Sequence, residues 1–86
     1  MTASDVERVA GHRDQDGQLI RLGAVVRARR NTAGLSQEAL ADAAGIDRSH
    51  MGKIERGERN LTFLNLARIA AALHALPSDL LREAGL

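Results

Sequence analysis

Residues 36–57 have the sequence SQEALADAAGIDRSHMGKIERG, and this stretch predicts two short helices joined by a tight turn. Ser36 is a favourable N-cap, because its hydroxyl can accept a hydrogen bond from a backbone N–H of the first turn. Gly45 is a favourable C-cap for the first helix. Asp47 can cap the second helix in the same way as Ser36, and Gly57 can end it. The pattern therefore predicts two consecutive helices of about two turns each.

Two helices with this connection form a helix-turn-helix, whose second helix enters the major groove of duplex DNA. In the second helix, Met51 and Ile54 point to one side at about 100° per residue. The opposite side carries cations, a hydroxyl and a glycine but no carboxylate: Ser49, Gly52, Lys53 and Arg56, with Arg48 at its edge. A solvated basic face is the ordinary explanation for an isolated short helix, whereas within a helix-turn-helix the same face indicates DNA contact.

The run GLSQEALADAAGIDRSHMGKIERGERNLT at residues 34–62 resembles the Cro/cI-type helix-turn-helix family, the lambda repressor-like DNA-binding domains. The resemblance extends over about residues 20–82. It implies an all-α, five-helix lambda repressor-like domain that binds duplex DNA sequence-specifically as a homodimer and regulates transcription. Within the family, residues 54–73 are similar to the controller proteins of restriction–modification systems.

The domain organisation follows from composition, helix caps and periodicity. Residues 1–17 are polar and predict a flexible N-terminal arm, and residues 18–86 predict the helix-turn-helix domain. We expect Thr62 to cap the fourth helix and Pro77 to lie in the first turn of the fifth. The five predicted helices span about residues 18–32, 37–44, 48–56, 63–74 and 77–84.

The resemblance also implies roles for individual residues. Arg30 and Glu55 match an arginine of the first helix and a glutamate of the third helix that form an internal ion pair in the family. Gln37 matches a glutamine that donates to a DNA phosphate, and it begins the second helix, where the helix N-terminus favours anions. We therefore expect the ion pair to be structural and the glutamine to contact DNA.

The remaining DNA contacts are expected on the third helix and in the loop that follows it. We predict that Arg48, Ser49 and Lys53 contact bases, because Arg and Lys pair well with guanine. The predicted contacts to the DNA backbone are Gln37, His50, Arg56, Arg59 and Asn60. For the two loop residues, Arg59 and Asn60, a solvated turn is an equally good explanation.

Three leucines near the C-terminus exceed what a five-helix core needs, namely Leu80, Leu81 and Leu86. They either complete the core or form a dimer interface, and we predict the interface. Two other residues depart from the family pattern. Arg29 stands where the first helix usually carries an aliphatic residue, which puts its packing against the fifth helix in question. Gly52 replaces a small hydroxyl residue, and it either permits close approach to the DNA groove or is a neutral substitution.

Charge and aromatic content narrow the class of function. The chain has 86 residues and a net charge of +1. The first 17 residues hold two arginines against four carboxylates, a net charge of −2, so the remainder carries +3. A basic face on the domain suits binding to the negatively charged backbone of duplex DNA. Phe63 is the only aromatic residue, which argues against single-strand or RNA binding by base stacking.

Other chemistries find no support in the sequence. There is no cysteine, no phosphate-binding glycine motif, and no second histidine near any histidine at metal-binding spacing. We therefore expect no enzyme activity, cofactor, metal or small-molecule ligand. The chain has no apolar run of membrane-spanning length, so we expect a cytoplasmic protein without membrane contact. The alternative is a protein-interaction module, such as an antitoxin or adapter, for which residues 1–17 would be the binding tail.

Overall fold

The computed structural model describes residue 14 and residues 16–86, and this part of the chain contains five α-helices and no strand. The helices are α1 Gln18–Thr32, α2 Gln37–Ala44, α3 Arg48–Glu55, α4 Phe63–Ala72 and α5 Pro77–Glu83. The predicted all-α, five-helix fold is confirmed. The third, fourth and fifth helices end one or two residues earlier than predicted, because their last residues form C-terminal caps.

Helix α1 begins with a cap that the sequence analysis assigned to the flexible arm. Asp14 Oδ2 accepts hydrogen bonds from the backbone N–H groups of Leu19 at 3.0 Å and Ile20 at 3.3 Å. Gly17 adopts a left-handed conformation with φ +67°, which a glycine tolerates without steric cost. Asp14 and Gly17 thus belong to the start of the domain. The rest of the predicted arm, residues 1–13 and Gln15, lies outside the described residues.

The predicted caps of the next three helices are confirmed. Ser36 Oγ accepts from the N–H of Ala39 at 3.0 Å and thereby begins α2. Asp47 caps α3, and Thr62 Oγ1 accepts from the third residue of α4, Asn65, at 3.1 Å. Each cap satisfies a backbone donor that the helix itself leaves unpaired, so each helix begins where its capping residue stands.

The core lies where α2 packs against α4 and where α1 packs against α3 and α5. Its largest fully buried side chains are Val26, Leu40, Met51, Ile69 and Leu80. The last of these corrects the prediction that Leu80 is a dimer-interface residue. Its side chain has no exposed surface, because α5 lies across α1 and α4 and directs Leu80 into the core.

Two glycines allow α1 to lie directly against the C-terminal end of α3. A Cβ on Gly23 would lie 2.6 Å from the backbone oxygen of Glu55 and closer still to that of Ile54. A Cβ on Gly57 would lie 2.6 Å from Cα of Ile20. A side chain at either position would force α1 and the end of α3 apart, so the close approach of their backbones depends on both glycines.

Arg29 is compatible with the packing of α1 against α5. Its Nε donates to Glu83 Oε1 at 3.0 Å, and its Nη2 donates to the other carboxylate oxygen. These hydrogen bonds lower the pKa of the Glu83 carboxyl below its ordinary value. An ion pair therefore joins the two helices at the position where the family usually has an aliphatic residue.

Candidate DNA-binding surface

Helix α3 presents a buried side and an outer side, as the helical wheel predicts. Met51 is fully buried and Ile54 is 3% exposed, so both anchor α3 in the core. Its outer side forms an open groove of about 400 Å³ together with the start of α2. We call this feature the α3 groove, and it is lined by Gln37, Arg48, Ser49, Gly52, Lys53 and Arg56.

The α3 groove brings together five of the residues predicted to contact DNA: Gln37, Arg48, Ser49, Lys53 and Arg56. The other three lie outside its lining. His50 is half-buried on α3, and Arg59 and Asn60 are exposed in the loop between α3 and α4. The structure thus divides the predicted contacts into a cluster on one face and a flanking group.

A buried hydrogen-bond network lies directly behind the α3 groove. Arg30 Nε donates to Glu55 Oε2 at 2.7 Å, and Arg30 Nη2 donates to Glu55 Oε1 at 3.0 Å. The side chains are 12% and 2% exposed, and the pair raises the pKa of Arg30. Gln37 Nε2 donates to the same Glu55 Oε1 at 3.0 Å. One carboxylate therefore joins α1, α3 and the first residue of α2, and it orients a predicted DNA contact.

Gly52 is covered, whereas the helical wheel places it open on the outer face. It is buried, and a Cβ at this position would lie 3.2 Å from Arg56 Nη1 and 3.3 Å from Gln37 Oε1. The absence of a side chain leaves space on α3, and the two long neighbouring side chains occupy it. Gly52 thus forms the floor of the α3 groove, and the ends of Gln37 and Arg56 lie over it.

Asp47 and Ser49 are linked at the start of α3. Asp47 Oδ2 accepts from the backbone N–H of Ser49 at 3.0 Å and of His50 at 3.4 Å, and also from the Ser49 hydroxyl. The hydroxyl bond is the main reason that the pKa of Asp47 lies below its ordinary value. The Ser49 hydroxyl proton is therefore engaged, and its oxygen remains available to accept a hydrogen bond from a base.

Glu58 is a residue of this surface that the sequence analysis missed. Arg56 Nε donates to Glu58 Oε2 at 2.9 Å, and Arg56 Nη2 donates to Glu58 Oε1 at 3.3 Å. The pair lowers the pKa of Glu58 and raises that of Arg56. The signal was the order Arg-Gly-Glu across a helix end, because a left-handed glycine turns the chain back and returns the carboxylate towards α3.

The C-terminal leucines have different environments. Leu80 belongs to the core, Leu81 is half-buried against the core, and Leu86 is 46% exposed. Leu76, at the start of α5, is also exposed. The apolar surface that α5 leaves uncovered is thus smaller than predicted and lies at its two ends.

Comparison with known proteins agrees with this geometry. A family described as helix-turn-helix matches residues 26–81, which include α2, α3 and α4. The chain belongs to the helix-turn-helix family. It is a DNA-binding regulator of transcription by class, and the predicted relationship to the lambda repressor-like domains is confirmed.

Individual relatives of this helix-turn-helix protein are restriction–modification controllers and a gene regulator. It is 44% identical over 61 residues to the control protein C.SmaI of Serratia marcescens, covering 71% of this chain and 73% of that protein. The controller C.AhdI of Aeromonas hydrophila superposes with a TM-score of 0.71 at 44% identity, covering 72% of this chain and 94% of that structure. The clp gene regulator ClgR of Corynebacterium glutamicum superposes with a TM-score of 0.77 at 31% identity, covering 79% of this chain and 72% of that structure.

The part of the chain that the structure describes contains neither a membrane-spanning helix nor a cluster of metal ligands. No helix there is both long and apolar enough to cross a membrane. No group of three or more His, Asp or Glu side chains there lies close enough together to hold a metal ion.

Proposed function

We propose that this helix-turn-helix protein binds a pseudo-palindromic operator as a homodimer and regulates transcription from it. The observation that carries the proposal is the α3 groove. Its cations lie on one face of a helix whose other face is anchored in the core. A helix presented in this way fits the major groove of duplex DNA.

The residues of the surface divide into two roles. Arg48, Ser49 and Lys53 face outward from the first two turns of α3 and contact base edges, and an Arg or Lys bound to guanine is the commonest specific contact. Phosphates are contacted by Gln37, His50, Arg56, Arg59 and Asn60. Phosphate contacts position the protein on the duplex, whereas the base contacts select the sequence.

The dimer is proposed to form through the C-terminal region, where Leu81 and Leu86 keep apolar surface outside the core. A two-fold axis there presents two copies of α3. Their half-sites on DNA are expected about one helical turn apart, roughly 10 base pairs. The similarity to C.AhdI, a restriction–modification controller protein, favours a regulator of restriction–modification genes, and we propose that it acts in the cytoplasm.

The test is selection of binding sites by the purified protein from a random duplex library, followed by affinity measurements with variants. We expect a site with dyad symmetry. Arg48→Ala and Lys53→Ala should each weaken operator binding by about tenfold or more, since a good base contact is worth about 1–3 kcal/mol. Arg68→Ala removes the same charge from the exposed face of α4 and should leave the preference for the operator unchanged. A library that returns no preferred sequence would overturn the proposal and would favour a protein-interaction module.

A further inference from the structure

Glu58 places a carboxylate on a surface that is otherwise suited to phosphate. The chain leaves α3 at Arg56 and turns at Gly57, where φ is +73°. The backbone N–H of Glu58 then donates to the carbonyl of Lys53 at 2.9 Å. This bond holds residue 58 beside the last turn of α3, next to the guanidinium of Arg56.

The guanidinium of Arg56 has two neighbours at once. Its Nε and Nη2 both donate to the Glu58 carboxylate, at 2.9 and 3.3 Å. Its Nη1 lies over Gly52 on the floor of the α3 groove. A phosphate binds a guanidinium through the same kind of paired donors that the carboxylate now uses. Glu58 and a DNA phosphate therefore compete for Arg56.

We propose that Glu58 is a positioning residue that competes with the DNA backbone for Arg56: it holds Arg56 in the free protein and on unrelated DNA, and it gives up Arg56 to a phosphate on the operator. The proposal rests on the proposed function. On unrelated DNA, the protein lacks the base contacts that would fix Arg56 against a phosphate, so the pair persists and one phosphate contact is lost. On the operator, Arg48, Ser49 and Lys53 fix the register, and Arg56 exchanges the carboxylate for a phosphate.

The pair has the exposure that such an exchange requires. Both side chains are 54% exposed, in contrast to Glu55, which is 2% exposed and held by two other side chains. An exposed ion pair is weak and is screened by salt, so a positioned phosphate can replace it. Glu58 therefore lowers affinity for any duplex, and it lowers affinity for the operator at least as much as for unrelated DNA, because operator binding breaks the pair.

The experiment measures the affinity of Glu58→Gln for the selected operator and for an unrelated duplex of equal length, over a series of salt concentrations. We expect operator binding to tighten by up to about fivefold, which is the free energy of an exposed ion pair, and binding to unrelated DNA to tighten by no more than operator binding does. On unrelated DNA, the slope of log affinity against log salt should steepen by about 0.9, which corresponds to one added phosphate contact. Thermal melts check that each variant is folded.

Two controls separate competition for Arg56 from a general change of charge. Asp42→Asn removes one exposed carboxylate of α2 that forms no ion pair within the described residues, and it should change both affinities slightly and equally. In an Arg56→Gln background, Glu58→Gln should no longer steepen the salt dependence on unrelated DNA, and its effect on both affinities should fall to that of Asp42→Asn. The proposal is overturned if Glu58→Gln matches Asp42→Asn or keeps its effect without Arg56. A wild-type protein that prefers no sequence would instead overturn the proposed function.

Discussion

At the scale of single residues, Glu55 is a buried carboxylate that depends on hydrogen bonds from two other side chains. Among the buried residues that the structure describes it is the only charged one, and it accepts hydrogen bonds from Arg30 and Gln37. A buried charge is tolerated only when its partners remain, because neither water nor another group can replace them. Loss of Glu55 would leave the Arg30 guanidinium without its carboxylate behind the α3 groove.

We predict that Glu55→Ala lowers the free energy of unfolding by about 3–5 kcal/mol, the usual cost of removing one partner of a buried ion pair. The measurement is thermal or urea unfolding. Glu58→Ala is the matched control, because it also removes a glutamate paired with an arginine, but at a position 54% exposed. It should change the melting temperature little. A Glu55→Ala protein that melts at the same temperature as the wild type would show that the network contributes nothing to stability.

At the scale of elements, the contact between α1 and α3 depends on Gly23. The two helices approach until backbone meets backbone, at the carbonyls of Ile54 and Glu55. Helix propensity alone would favour alanine at this position. The tertiary contact opposes propensity here, since a Cβ would force α1 away from the helix that carries the predicted base contacts.

Two glycine substitutions distinguish packing from propensity. Gly23→Ala should lower the free energy of unfolding by about 1–3 kcal/mol or more, because its Cβ would meet fixed backbone. Gly52→Ala should raise it by up to about 0.5–1 kcal/mol, because its Cβ would meet only the movable ends of Arg56 and Gln37. Urea unfolding of both variants shows whether each substitution lowers or raises the free energy of unfolding. Equal effects of the two substitutions would contradict the close approach of α1 to α3.

The Asp47 cap of α3 predicts a dependence of stability on pH. Folding lowers the pKa of Asp47 from its ordinary value of 3.8, mainly through the Ser49 hydroxyl. The unfolded chain therefore binds the proton first as the pH falls, so the cap stabilises the protein above pH 3.8 and loses this effect below it. We expect wild type to melt above Asp47→Asn at pH 6 and the difference to shrink as the pH approaches about 3. A difference that does not vary with pH would contradict a titrating cap.

At the scale of the whole molecule, the small core favours association. A domain of this size buries a limited apolar surface, and several large side chains stay exposed. They lie on α1, at the start of α4 and at the two ends of α5: Ile20, Phe63, Leu64, Leu76 and Leu86. The end of α5 is the part of this surface that a two-fold contact through the C-terminus would cover.

We predict a homodimer in sedimentation equilibrium that Leu86→Glu shifts towards monomer, because the change introduces a charge into the proposed apolar contact. Its matched control is Leu64→Glu, which alters an exposed leucine of α4 and should leave the dimer intact. Dissociation by Leu64→Glu and not by Leu86→Glu would move the interface to α4. A wild-type monomer at all concentrations, together with a selected site without dyad symmetry, would contradict the dimer.

The sequence by itself determined the five helices, the N-terminal caps of α2, α3 and α4, and the side of α3 that is buried. Ser36, Asp47 and Thr62 begin their helices where the pattern places them. The buried positions Met51 and Ile54 follow from spacing alone. These features could be predicted because a cap and a helical face depend on residues three or four positions apart in the chain.

Only the tertiary structure decided the burial and the contacts of side chains whose partners lie on another helix. The burial of Leu80 depends on how α5 crosses its neighbours, and the cover over Gly52 depends on Gln37 reaching α3 from the start of α2. Long flexible side chains have many rotamers of similar energy, so their contacts are set by the positions of whole helices and not by local sequence.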